Sequence, residues 1–246
     1  MKQGTVRQIL LLTDGCSNSG EDPIAIATLA KEEGLSVNVI GIMDEGDESA
    51  RGLGEIEAIA QAGGGMSDVV YAKQLSQTVQ MVTRKAMTQT IFGVVNREIK
   101  NILGSNKEME DLPPEKREDL IEVVEEIGEN ASLDILVLVD TSASMKNKLP
   151  RVQEALLDLA ISLNSRTGEN DYCLYSFPGK RNPVDRLLAW TPQLDSLKGA
   201  FKKITMSGVT PTGPALKEAM KVHLKRMKKE EGYEDDEGSF MEQPGL

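Results

Sequence analysis

The apolar residues of this chain fall into short continuous runs, separated by stretches in which they recur three or four positions apart. Continuous runs rich in Val, Leu and Ile are typical of strands buried on both faces of a parallel sheet. Six segments are interpreted as strands on this basis or by alternation: residues 7–13, 36–42, 68–72, 133–140, 171–177 and 184–190. The last of these is expected at the edge of the sheet.

Helical spacing dominates between the strands and after the last one. The predicted helices cover residues 21–33, 53–60, 74–103, 111–128, 152–163, 192–204 and 216–228. Strands that alternate with helices through short connections predict an α/β fold, in which parallel strands are joined by right-handed crossovers.

Composition narrows the classes of function. The 246 residues carry a formal net charge of −11, which argues against nucleic acid or an anionic membrane as the main partner. No apolar run approaches the roughly 18 residues that a membrane span needs, and no signal peptide is recognised, so we expect a cytoplasmic protein. The two cysteines, Cys16 and Cys173, have no metal-site spacing and are interpreted as bystander thiols.

Candidate chemistry begins where the strand at residues 133–140 ends. Asp140, Ser142 and Ser144 place one carboxylate and two hydroxyls in the loop beyond the carboxyl end of a buried strand, where open α/β sheets bind ligands. Oxygen ligands of this kind favour Mg²⁺, Mn²⁺ or Ca²⁺ over zinc or copper. Taken alone, the pentapeptide could also be a helix cap.

The Asp-x-Ser-x-Ser pattern resembles the metal-ion-dependent adhesion site of von Willebrand factor A domains. A second part of that family's pattern, Gly-x-Thr-x-Thr-Gly-x-Ala-Leu, is matched at residues 208–216, where Thr210 falls on the metal-coordinating position and Thr212 is the weaker candidate. A third part, a strand ending in Asp-Gly, is matched by Asp14. The resemblance thus implies Asp140, Ser142, Ser144, Thr210 and Asp14 as ligands of Mg²⁺, or of Mn²⁺ or Ca²⁺.

These family segments stand in a permuted order. The strands that normally follow the Thr loop are found at the front of the chain, so the resemblance implies a circularly permuted domain. Residues 1–103 would be the C-terminal half of the family fold, 104–131 a helical linker, 132–228 the N-terminal half and 229–246 an acidic disordered tail. In detail the chain is similar to the YabS-like members of the family in endospore-forming bacteria.

The implied fold is a Rossmann-like, doubly wound, mostly parallel six-stranded sheet. Numbered along this chain, the strands would lie in the order 6-5-4-1-2-3, with one antiparallel edge strand and with strands 4 and 1 side by side. We expect the two halves to combine within one chain. In the alternative, an extended linker lets two chains exchange halves in a domain-swapped dimer.

The function that the resemblance implies is capture of a protein partner, not catalysis. Water or a Glu or Asp of the partner would complete the coordination of the metal, and the chain would act as a bacterial cytoplasmic scaffold or adaptor. Two alternatives remain: a Mg²⁺-dependent phosphatase or hydrolase with Asp140 as nucleophile, and a structural module that binds no metal. His223 is expected to pack in the core, and the tail to solubilise the chain or to supply a carboxylate to a neighbouring metal.

Overall fold

A computed structural model describes residues 4–15, 17–43, 52–103, 108–193, 199–204, 206 and 208–232. The strands are β1 (Thr5–Thr13), β2 (Ser36–Met43), β3 (Gly64–Tyr71), β4 (Ser132–Asp140), β5 (Asn170–Phe177) and β6 (Asp185–Thr191). The longer helices are α1 (Pro23–Glu32), α2 (Leu53–Ala62), α3 (Leu75–Leu103), α4 (Pro114–Asn130), α5 (Leu149–Leu163) and α6 (Thr212–Glu230). Short 3-10 helices cover Ala72–Gln74, Met109–Asp111, Ala143–Asn147 and Phe201–Lys203.

The six strands form one sheet in the order β3-β2-β1-β4-β5-β6. Neighbouring strands are parallel except at one edge, where β6 runs antiparallel to β5. The predicted α/β class, strand order and antiparallel edge strand are therefore confirmed. The two strands with the longest apolar runs, β1 and β4, lie side by side at the centre.

Helices cover both faces of the sheet, and each face has its own hydrophobic core. Alternate residues of the central strands supply the two cores, since successive side chains of a strand point to opposite faces. On β1, for example, Leu10 and Leu12 belong to the core beneath α3 and α5, whereas Ile9 and Leu11 belong to the core beneath α1, α2 and α6. Burial on both faces explains why β1 and β4 lack polar alternation.

The register of the central pair brings the two predicted carboxylates together. Leu12 of β1 lies opposite Val139 of β4. Asp14 and Asp140 therefore lie near each other, at the carboxyl ends of two neighbouring parallel strands. At the amino ends of these two strands, Thr5 lies beside Ser132. There an ion pair between Glu230 and Arg7, at 2.8 Å, joins the end of α6 to β1. The beginning of β1, the end of α6 and the segment that enters β4 therefore all lie away from the carboxylates.

The long helix α3 differs from the prediction in which of its residues are buried. This helix is continuous, but its buried residues lie mainly in its first half, and Val94 and Ile102, which follow the same helical spacing of apolar residues, are exposed. Residues 194–198 of the predicted helix at 192–204 lie outside the described residues, as does Cys16. Within the ranges given above, no helix is long and apolar enough to cross a membrane.

Candidate metal centre

Asp140 is the last residue of β4, and its side chain is held from two sides. It is fully buried; its Oδ1 accepts a hydrogen bond from the backbone N–H of Ser142, and its Oδ2 accepts one from the hydroxyl of Thr13, both at 2.8 Å. Thr13 ends β1, so this contact joins the two central strands at their carboxyl ends. Each carboxylate oxygen keeps a further lone pair, and the side chain is therefore a pre-oriented oxygen ligand.

The two serines connect Asp140 to Asp14. Ser142 and Ser144 flank the start of the 3-10 helix Ala143–Asn147, and their hydroxyl oxygens lie 3.1 Å apart. The Ser144 hydroxyl also donates to Asp14 Oδ1 at 2.9 Å. Four of the residues named as ligands from the sequence are thus joined in one connected chain of hydrogen bonds.

Thr210 reaches this region through its backbone. Its N–H donates to Asn18 Oδ1 at 2.9 Å, and its carbonyl accepts the Asn18 N–H at 3.1 Å. Asn18 follows Asp14 in the loop after β1, so the contact holds the Thr210 loop against the Asp14 loop. The Thr210 hydroxyl bonds to none of the other described residues, and the hydroxyl of the neighbouring, buried Thr212 also lacks a partner among them.

Close packing at the start of α6 fixes this arrangement. A Cβ added at Gly213 would lie 1.9 Å from the carbonyl oxygen of Glu21, and one added at Gly20 would lie 2.3 Å from Pro214. Gly20 also has a φ of +91°, which is unfavourable for residues with a side chain. Glycine at both positions therefore allows the two loops to pack this closely.

Lys148 is part of the same cluster, although no sequence pattern pointed to it. Its Nζ donates to Asp14 Oδ2 at 2.7 Å, and the side chains of the two residues are 4% and 2% exposed. One carboxylate of the site is therefore already paired with a positive charge. Thr13 and Asn18 are further contributors that sequence reasoning missed, since each acts on a residue more than 100 positions away.

The electrostatics favour a cation at Asp140. Burial raises the pKa of Asp140 above its usual range, against the opposing effect of the hydrogen bonds from Ser142 and Thr13, and the nearby Asp14 raises it further. Burial has this effect because a charged carboxylate loses its favourable interaction with water, which costs free energy. A divalent cation would offset that cost, and the oxygen donors present suit Mg²⁺, Mn²⁺ or Ca²⁺. The residues of the site therefore fit a hard metal ion.

The described residues offer no competing metal site of the usual kind. Among them, no group of three or more His, Cys, Asp or Glu side chains is placed to hold a metal ion. Cys173 is a free, buried thiol whose pKa is raised by burial. His223 is buried in the core beneath α6, as the sequence suggested, and contacts Trp190 edge-on with ring centroids 5.1 Å apart.

Comparison with known proteins gives close relatives as well as distant ones. No known family profile matches the sequence. A structure of proximal thread matrix protein 1 from the mussel byssus, described as having a zinc-occupied metal-ion-dependent adhesion site, is 18% identical and aligns with 87% of this chain and 45% of its own length. Its TM-score of 0.31 is too low to support any argument about this chain.

Two bacterial proteins match nearly the whole chain. The crystal structure of an uncharacterized protein from Alicyclobacillus acidocaldarius has a TM-score of 0.82 and 39% identity, covering 92% of this chain and 96% of that protein. The uncharacterized protein YabS of Bacillus subtilis (strain 168) is 57% identical over 243 residues, 98% of this chain and 99% of YabS. Such identity over almost the full length of both sequences shows that the chain belongs to the YabS family.

Proposed function

We propose that the chain is a circularly permuted von Willebrand factor A domain that binds a divalent cation and, through it, an acidic side chain of a protein partner. The observation that carries the proposal is the hydrogen-bonded chain from Asp140 through Ser142 and Ser144 to Asp14. It lies at the carboxyl ends of two adjacent central strands, where α/β sheets bind ligands.

The positions of β1 and α6 support the permutation. The ion pair between Arg7 and Glu230 places the end of α6 next to the start of β1, so the connection found in the family order would be short. In this chain the two halves are joined instead by the segment that leads through α4 into Ser132, the first residue of β4. Ser132 lies beside the start of β1, at the amino ends of the central strands. Relocating the ends in this way leaves the residues of the site in place.

The proposed ligands are Asp140, Ser142, Ser144, Thr210 and Asp14. They contribute two formal negative charges and three neutral hydroxyls, so a bound Mg²⁺ would remain electrophilic enough to take a further oxygen ligand. A Glu or Asp side chain of a partner would supply that oxygen. The chain would then act as a scaffold or adaptor, and we expect it to do so in the cytoplasm as a monomer.

The alternative of a phosphatase or hydrolase needs Asp140 as a nucleophile. Asp140 is fully buried and both of its oxygens already accept hydrogen bonds, which favours a ligand over an attacking group. Hydrolysis of para-nitrophenyl phosphate in Mg²⁺, abolished by Asp140→Ala, would be the result that supports the enzyme instead.

The test is a calorimetric titration of Mg²⁺ and Mn²⁺ into chelator-treated protein. We expect Asp140→Ala and Asp14→Ala to lose binding while keeping the fold, because each removes one of only two charged ligands. Glu154→Ala is the matched control, since it removes an exposed carboxylate on α5 that is paired with Arg151. Unchanged affinity in Asp140→Ala would refute the metal site, and normal binding by Asp14→Ala would refute its composite origin.

A further inference from the structure

The ion pair between Lys148 and Asp14 is buried within the site. The two side chains are 4% and 2% exposed, and the ammonium lies 2.7 Å from Asp14 Oδ2. Lysine is rarely buried, and a charge removed from water is tolerated only when it is closely paired. Exposed ion pairs, such as Lys100 with Glu108, are not removed from water in this way.

The position of Lys148 in the chain makes its burial more unfavourable. It stands immediately before α5, and its carbonyl accepts hydrogen bonds from the N–H groups of Arg151 and Val152 in the first turn of that helix. The amino end of a helix carries a partial positive charge and favours anions, not cations. A residue that breaks a local preference in this way is expected at functional sites.

The two carboxylates of the site are therefore not equivalent. Asp140 accepts hydrogen bonds from neutral donors, the Thr13 hydroxyl and the Ser142 N–H. Asp14 accepts one bond from the neutral Ser144 hydroxyl and one from the Lys148 ammonium. Lys148 thus offsets the charge of the one carboxylate that comes from the other half of the chain.

We infer that Lys148 is a counter-cation that lowers the affinity of the site for divalent ions. Its ammonium group contacts Asp14, so its positive charge opposes the binding of a second cation by the same carboxylate. The inference rests on the proposed function, because it assigns Lys148 a role toward the same ion.

The experiment compares Mn²⁺ affinity, measured by calorimetry, in the wild type and three variants of the full chain. Lys148→Gln removes the charge but keeps an N–H donor for Asp14, Lys148→Met removes both, and Lys148→Arg keeps the charge. Lys100→Gln is the control for net charge, because Lys100 forms an exposed ion pair with Glu108 on the surface. Circular dichroism and thermal melting establish that each variant folds.

We expect Lys148→Gln and Lys148→Met to bind Mn²⁺ on the order of tenfold more tightly than the wild type, since a positive charge a few ångströms away opposes a divalent ion strongly in a buried site. Lys148→Arg should bind more weakly than Lys148→Gln.

The outcomes separate this inference from the proposed function. Equal or weaker Mn²⁺ binding in folded Lys148→Gln and Lys148→Met would overturn the inference, while binding by the wild type would leave the proposed function intact. Binding by Lys148→Gln but not by the wild type would support the opposing charge of Lys148 and refute a metal site in the native chain. Absence of binding in all of these proteins would overturn both.

Discussion

His223 offers a prediction whose magnitude follows from the structure. Its ring is fully buried, and Nε2 lies 3.1 Å from the Gln8 carbonyl, which assigns the proton to Nε2 and leaves Nδ1 without a partner among the described residues. Burial lowers the pKa of His223 from 6.5 to about 4; the Gln8 hydrogen bond opposes this, and the positive charges of Arg7 and Arg226 add to it.

The sign of the pH effect follows from these two pKa values. Below pH 6.5 the unfolded chain binds a proton at His223, whereas the folded chain does not bind one until about pH 4. Stability from this residue is therefore complete at neutral pH and falls as the pH drops between these values. At 1.36 kcal/mol per pH unit, the loss in the free energy of unfolding reaches roughly 2 kcal/mol by about pH 5.

The assay is equilibrium unfolding in urea at neutral pH and at about pH 5, for the wild type and for His223→Gln. His223 is the only histidine in the chain, so the difference between the two proteins isolates its protonation. Gln retains an N–H for the Gln8 carbonyl but does not titrate. The stability advantage of the wild type should shrink by roughly 2 kcal/mol, and an advantage that stays constant would refute the buried, neutral histidine.

Other contacts around the site give further predictions. Asn18→Ala should weaken Mn²⁺ binding about tenfold, measured by calorimetry, because the Thr210 N–H loses its bond to the Asn18 side chain in the Asp14 loop; unchanged affinity would show that Thr210 is not a ligand. Gly213→Ala should cost about 3 kcal/mol in urea unfolding, because its Cβ would clash with the Glu21 carbonyl. The matched variant is Gly93→Ala, whose added Cβ would meet no other atom, and which should instead stabilise the fold by about 0.5–1 kcal/mol because it lies within helix α3. Equal effects of the two substitutions would contradict the close packing of Gly213 against Glu21.

Continuous apolar runs were sufficient to predict the central strands, because burial on both faces leaves a signal in the sequence itself. The strand β3 was harder. It was predicted at residues 68–72, but it runs over Gly64–Tyr71. A Cβ at Gly65 would lie 2.2 Å from the Val37 carbonyl oxygen, so glycine permits close pairing with β2. This first part of β3 lacks an apolar run, and tertiary pairing alone makes it a strand.

Some residues of the candidate site could be predicted from the sequence, and others could not. Asp140, Ser142 and Ser144 form a local pattern, and the family resemblance pointed to the remote Asp14. Lys148 carried no such signal, since a lysine before a helix is ordinarily a solvated residue and its burial depends on a carboxylate 134 positions away. Side chains that act across the fold were therefore missed, even though the fold that brings them together was predicted.

The central position of β1 has a consequence for the synthesis of the chain. β1 is made well before its neighbour β4, because Thr13 and Asp140 are 127 positions apart in the sequence. At about 5–20 residues per second, β1 waits roughly 6–25 seconds for this neighbour. During that time one edge of a strand that carries four consecutive apolar residues, 9–12, is open to pairing with other chains. Until β4 is made, β1 is therefore exposed to pairing with a wrong strand.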